Sequence, residues 1–117
     1  MIILSWNVRG LGDSHKFQSL SRLLRAHLPD VMFIMETKKR EEDMVNTCNS
    51  LGFSKCYVVE RVGKSGGGLA LAWKPNIQID VVGYSQGHID AVLVDKGNRV
   101  RLIGFYGNPT SQLRRFS

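Results

Sequence analysis

The segment Pro29-Asp30-Val31-Met32-Phe33-Ile34-Met35-Glu36-Thr37-Lys38 holds an unbroken apolar stretch that opens after a proline and closes on a carboxylate. Apolar residues without alternation predict a strand buried on both faces, and Glu36 then stands at its carboxyl end. An acid beside a buried strand is costly unless something compensates its charge or it reaches water. A metal ion, a basic neighbour such as Lys38 or Lys39, and exposure at the strand mouth each meet that requirement.

The other chemistry-bearing residues are more scattered. His15 opens a predicted helix and His27 ends one, where a protonated imidazole suits the helix dipole. His88 stands near Asp90, either as a ligand-facing group or as a hydrogen-bonding residue between loop and strand. No Ser, His and Asp order assembles a nucleophilic triad. Gly63-Lys64-Ser65-Gly66-Gly67-Gly68 has the look of a phosphate loop but lacks its earlier glycine, with Val58 at that position. It also leads into a strand where that motif needs a helix, so it reads as a flexible hairpin connection. Cys48 and Cys56 have neither CxxC spacing nor nearby histidines and read as buried free thiols, with no zinc site.

The elements that must position Glu36 follow from periodicity. Met1 to Asn7 begins as a strand, and Arg9-Gly10-Leu11-Gly12 marks a loop after it. Asp13 or Ser14 can cap a helix whose apolar stripe is Phe17, Leu20, Leu24 and Leu28, and Pro29 stops that helix. The strand ending at Glu36 comes next. A strand, crossover helix and strand make a right-handed parallel unit, so Asn7 and Glu36 emerge from the same sheet edge. Glu41, Glu42 and Asp43 suit the first turn of a second helix, with Met44, Cys48 and Leu51 on its apolar side and Gly52 near its C-terminus. Five strands are predicted beyond it: Phe53 to Val59, Gly68 to Trp73, Ile77 to Val82, Ile89 to Val94 and Arg99 to Tyr106. Lys74-Pro75-Asn76 and Lys96-Gly97-Asn98 supply tight connections and predict antiparallel neighbours. The resulting class is α/β (α+β), a mixed sheet with two early helices.

At 117 residues the chain is one domain, of a size that buries roughly two thirds of its unfolded surface. No apolar run approaches the ~18 residues of a membrane span, and Ile2-Ile3-Leu4 is too short for a signal-peptide core. The chain is therefore read as intracellular, with no membrane partner. Sixteen Lys and Arg against ten Asp and Glu give a formal charge of +6, which favours a polyanionic partner such as nucleic acid.

Four motifs in order carry a resemblance: Trp6-Asn7-Val8-Arg9-Gly10-Leu11-Gly12, Pro29-Asp30 leading to Met35-Glu36-Thr37-Lys38, Gly67-Gly68-Leu69-Ala70-Leu71-Ala72-Trp73, and Gly104-Phe105-Tyr106-Gly107. Together they resemble the endonuclease/exonuclease/phosphatase (DNase-I-like) superfamily, and more narrowly the endonuclease domain of plant LINE-type (non-LTR) retrotransposons. The resemblance extends to His88-Ile89-Asp90-Ala91 and Arg114-Arg115-Phe116-Ser117. It implies a two-sheet α/β sandwich, Mg²⁺-dependent (or Mn²⁺-dependent) phosphodiester cleavage, and DNA or another nucleic acid as partner. Residue by residue it makes Glu36 the metal-ligand carboxylate and Asn7 the amide that helps to hold metal and phosphate. Tyr106 becomes the phenol at the phosphate. Arg9, His88, Asn108 and Arg114 are the implied nucleic-acid contacts. Family sequences often have Cys where Val8 stands.

The family's later motifs are absent: a Gly-Asp-Phe-Asn type segment, a further acid, and a Ser-Asp-His type motif that supplies the base of the mechanism. General-base assistance is worth about 10²- to 10⁴-fold, so the chain is expected to be the N-terminal portion, residues 1–117, of a truncated nuclease domain with little or no activity alone. The second sheet is expected to be missing too. That would leave an exposed sheet face able to support a homodimer. The competing expectations are a non-catalytic nucleic-acid-binding or self-associating module, and a vestigial product.

Overall fold

The computed structural model describes residues 1–61 and 67–106. In chain order the elements are β1 (Ile3–Asn7), α1 (Ser14–His27), β2 (Val31–Met35), α2 (Glu41–Ser50), β3 (Lys55–Val59), β4 (Leu69–Trp73), β5 (Gln78–Ser85), β6 (His88–Asp95) and β7 (Asn98–Phe105). They form three layers: the helices, a four-stranded mixed sheet A ordered β1-β2-β4-β3, and a three-stranded antiparallel sheet B ordered β5-β6-β7.

β1 and β2 are parallel, with Asn7 opposite Met35, as the crossover unit requires. β2 and β4 are buried along almost their full length, because both lie inside sheet A with a layer on either face. On one face Met32, Ile34, Ala70 and Ala72 pack against Leu20, Leu24, Met44 and Cys48 of the helices. On the other, Val31, Phe33, Leu69, Leu71 and Trp73 meet Ile79, Ile89, Ala91 and Leu93 of sheet B. Phe33 sets the spacing between the sheets: a Cβ built on Gly104 of β7 would lie 2.6 Å from its ring, so only glycine lets β7 approach so closely.

The structure corrects three expectations. The second sheet is not missing: sheet B covers the face of sheet A that was expected to be bare, which removes that face as a dimer surface. Strands β4 and β5 are not antiparallel neighbours. The Lys74-Pro75-Asn76 turn, closed by Ile77 N–H donating to Lys74 O at 3.0 Å, carries the chain from sheet A to sheet B. Leu28 does not join the apolar stripe of α1. It is the helix C-cap, left-handed at φ 48° and 74% exposed, because the residue before a proline is driven out of the helical region.

The Lys96-Gly97 turn does join antiparallel neighbours, β6 and β7. Asp13 is the N-cap of α1, its carboxylate accepting from His15 N at 2.8 Å. Both cysteines are free; Cys48 is buried and Cys56 half-buried. Burial pushes the Cys48 thiol up to about 12, so it stays protonated. Residues 62–66, most of the glycine-rich connection, lie outside the described residues. Among the described residues no helix is long and apolar enough to cross a membrane.

Candidate active site at the carboxyl edge of sheet A

Glu36 follows directly on β2, and its backbone is left-handed at φ 56°. A left-handed non-glycine residue is strained and persists only where its surroundings hold it. Those surroundings are a run of backbone bonds on both sides. Val8, Gly10 and Leu11 N–H donate to the carbonyls of Met35, Glu36 and Thr37, fastening the loop after β1 to the end of β2. On the other side Thr37 and Lys38 N–H donate to Gly68 and Gly67 O at 3.1 Å each. Glu36 is thus clamped between the ends of β1 and β4.

Sheet B supplies the third component. Tyr106 follows β7, and its N–H donates to Gly87 O in the β5–β6 turn at 2.7 Å. Its phenol donates to Glu36 Oε1 at 2.5 Å, across 70 residues of sequence. This hydrogen bond, burial and the carboxylate charge push the Tyr106 phenol up to about 12, while the nearby Arg9 cation opposes the shift. Arg9 therefore acts electrostatically on the Tyr106 phenol. Asn7 lies at the same edge, with its Oδ1 accepting from Arg9 N at 3.1 Å.

The structure thus gathers Glu36, Tyr106, Asn7 and Arg9. His88 is placed elsewhere. Ile89, Ala91 and Leu93 of β6 point into the core, so His88 and Asp90 lie on the outer face of sheet B. There His88 Nδ1 is 2.5 Å from Ser85 Oγ, and Asp90 takes a bidentate pair from Arg101. That pairing holds the Asp90 carboxyl below the usual carboxylate range. Asn108 and Arg114 lie outside the described residues.

Two contributions had not been anticipated from the sequence. Lys16 of α1 donates to Val8 O and Arg9 O at 3.2 and 3.0 Å, tying the loop that follows Asn7 to the helix. Its signal was available: a lysine in the first turn of a helix without acids there opposes the dipole and needs another partner. Gly68, at φ 93°, lies so close to the buried Thr37 that a Cβ would come within 2.5 Å of Thr37 Oγ1.

A metal at this edge would meet one carboxylate and amide or phenol oxygens. No group of three or more His, Cys, Asp and Glu is assembled among the described residues. That donor set does not fit a metal caged wholly by protein, such as structural zinc. It fits Mg²⁺, a hard ion commonly held by one or two carboxylates together with waters and substrate phosphate.

The fold has counterparts in known proteins. The model of the Endonuclease/Exonuclease/phosphatase family matches residues 4–113. The chain belongs to this family. Among curated proteins no match was found. Among solved structures, the human Nocturnin catalytic domain with bound sulfate superposes with a TM-score of 0.70 at 14% identity, over 99% of this chain and 52% of that one. The endonuclease domain of TRAS1, a telomere-specific non-LTR retrotransposon, gives 0.61 at 9% identity, over 97% and 49%. Truncated TDP2 of Caenorhabditis elegans gives 0.63 at 19% identity, over 97% and 48%. At such identities the likeness is one of fold: an α+β, DNase-I-like sandwich. The chain spans about half the length of these structures.

Proposed function

We propose that the chain carries the Glu36 half of a metal-dependent phosphodiesterase site of the retrotransposon endonuclease type, acting on DNA, and that these 117 residues alone cleave little or not at all. The observation that carries this reading is the Tyr106 phenol set on Glu36 Oε1 at 2.5 Å by two different sheets. A buried strand end, a strained backbone and a cross-sheet hydrogen bond spent on one carboxylate are hard to explain as surface decoration. The family match supports a nuclease-type fold, and the narrower assignment rests on the motif resemblance, with the TRAS1 endonuclease domain sharing the fold.

In this reading Glu36 and Asn7 hold Mg²⁺, or Mn²⁺ in its place. The bound ion supplies Lewis-acid polarisation of a phosphoryl oxygen. Tyr106 rests with its single phenolic proton on Glu36 Oε1; with Glu36 taken up by the ion, that proton would be released to donate toward charge developing on the phosphate. Arg9 contributes positive charge at the same edge, and Lys16 holds in place the loop that follows Asn7 and carries Arg9. The net charge of +6 brings the polyanion to the surface in a salt-dependent way.

Two measurements test this. Mn²⁺ added to ¹⁵N-labelled protein should broaden the amide signals around Asn7, Glu36 and Tyr106 first, and Glu36→Ala should abolish that pattern. Broadening centred elsewhere, or unchanged by the substitution, would remove the site. Nicking of supercoiled plasmid with Mg²⁺ is expected to be no greater than for Glu36→Ala. Metal-dependent nicking lost in that variant would instead make the half-site sufficient. Salt-sensitive DNA binding indifferent to both metal and Glu36→Ala would favour a non-catalytic binding module.

A further inference from the structure

We propose that the edge of sheet A opposite Glu36 holds a binding site for a small alkyl carboxylate. Several chain reversals meet there: α1 ends at His27, α2 ends at Ser50, β2 begins at Val31 and β4 ends at Trp73. Between them lies an open cavity of about 340 Å³, the size of a small-ligand site. Its apolar wall is Leu24, Leu28, Leu51 and Phe53, and Arg25 and Lys74 stand in the same lining. Leu28, with its left-handed backbone at the end of α1, is 74% exposed and has apolar area to give up to an alkyl chain.

The two cations decide the class of ligand. Lys74 is held in place: its N–H donates to Asp30 O at 3.0 Å, and its ammonium donates to Gly52 O at 3.1 Å while lying 4.3 Å from the centre of the Phe53 ring. Gly52 makes that position possible, since a Cβ there would come within 3.0 Å of Lys74 Nζ. One such bond leaves two of the three ammonium protons for another acceptor. Arg25, exposed in the last turn of α1, has no ion-pair partner among the described residues. Among those residues the one acid in the lining, Asp30, already has its carboxylate on Ile2 N–H at 2.9 Å. Cations at a helix C-terminus also answer the exposed carbonyls, but here the chain itself closes them. Leu28 N–H donates to Leu24 O, and Leu51, Gly52 and Phe53 N–H donate to Thr47, Asn49 and Cys48 O.

An apolar wall beside two cations without carboxylate partners calls for a ligand with both an apolar body and a negative head. A neutral hydrocarbon would desolvate the cations without answering their charge, and a nucleic-acid phosphate would leave the leucines in water. An alkyl carboxylate meets both requirements. Its chain covers Leu28 and Leu51, and its head accepts from the Lys74 ammonium and from the Arg25 guanidinium, whose planar fork matches a carboxylate. The site lies at the other end of β2 from Glu36, five residues or roughly 17 Å along the strand, and is independent of the phosphodiesterase reading.

Titration of the ¹⁵N-labelled full chain with octanoate, 1-octanol, octylammonium and inorganic phosphate tests this, at about 0.15 M salt, where distant charges are screened. Octanoate should shift the amide signals of Leu24, Leu28, Leu51 and Phe53 saturably, and each of the other three should bind there at least ~tenfold more weakly. Arg25→Glu and Lys74→Met should each weaken octanoate at least ~tenfold. Arg22→Glu, the same charge change on the same helix but outside the lining, should alter it less than ~twofold. The circular dichroism of each variant shows that it is folded. No saturable shift, shifts centred on the Glu36 edge, any of the other three probes binding as tightly as octanoate, or an equal loss in Arg22→Glu overturns the proposal.

Discussion

Replacing Gly68 by alanine should loosen the clamp around Glu36, and the structure gives the size of the effect. Gly68 adopts φ 93°, where a side chain costs about 1–2 kcal/mol. The new methyl would stand 2.5 Å from Thr37 Oγ1, 3.3 Å from Lys38 N and 3.7 Å from Thr37 Cβ. Thr37 cannot turn away cheaply: it is fully buried, its β-branched side chain is stiff, and its backbone is bonded to Gly68 O. Overpacking of this kind costs about 1–3 kcal/mol, for a total of roughly 2–5 kcal/mol. Among the described residues Thr37 Oγ1 has no hydrogen-bond partner, so Thr37→Ala alone should cost no more than about 1 kcal/mol, the loss of one buried methyl. In the double variant the 2.5 Å contact disappears, so the left-handed cost of about 1–2 kcal/mol and the Thr37→Ala loss of up to about 1 kcal/mol remain, roughly 1–3 kcal/mol in all. Urea unfolding of the four proteins, followed by tryptophan fluorescence, gives the coupling directly. A loss below about 0.5 kcal/mol for Gly68→Ala, or a double variant whose loss equals the sum of the two single losses, would refute the reasoning.

Two further outcomes can be measured on the same protein. Tyr106 has its phenol pushed up to about 12 from an ordinary value near 10, so the folded state holds this proton more tightly than the unfolded state. The stabilisation it confers is complete below pH 10 and is lost as the pH rises from 10 through 12. The urea midpoint of wild type should therefore exceed that of Tyr106→Phe by a constant margin up to pH 10, and the gap should close toward pH 12; a margin that persists at pH 12 contradicts the Glu36 contact. Lys16→Met removes the bonds to Val8 O and Arg9 O but keeps the apolar stem, so a loss of about 1–2 kcal/mol is expected. Hydrogen exchange should quicken at residues 8–11, and uniform quickening across sheet B instead would mean that Lys16 does not act through this loop.

Much of the site was legible locally. Asn7 and Glu36 share an edge because β1, α1 and β2 form a crossover unit whose handedness leaves the strands parallel. The unbroken apolar run before Glu36 marked β2 as doubly covered, and Leu69–Trp73, fully buried beside it, shows the same pattern for the same reason. The N-cap of α1 and the first-turn acids of α2 were equally readable, since both depend on residues only a few positions apart.

What the sequence determined by itself was everything set by short-range periodicity, capping and crossover handedness: the elements, the parallel pair, and a carboxylate and an amide at one edge. It could not decide which sheet each later strand joins. A Lys-Pro-Asn turn reverses the chain in the same way whether the next strand pairs with the last or crosses to another layer, and only burial of both faces of β2 and β4 selects the second sheet. Nor does any local signal mark Glu36 as left-handed, since that conformation is imposed by the loops after β1 and before β4. The Tyr106–Glu36 contact is likewise tertiary. It joins residues 70 apart and exists because Gly104 lets sheet B settle onto Phe33, which carries the end of β7 to the end of β2.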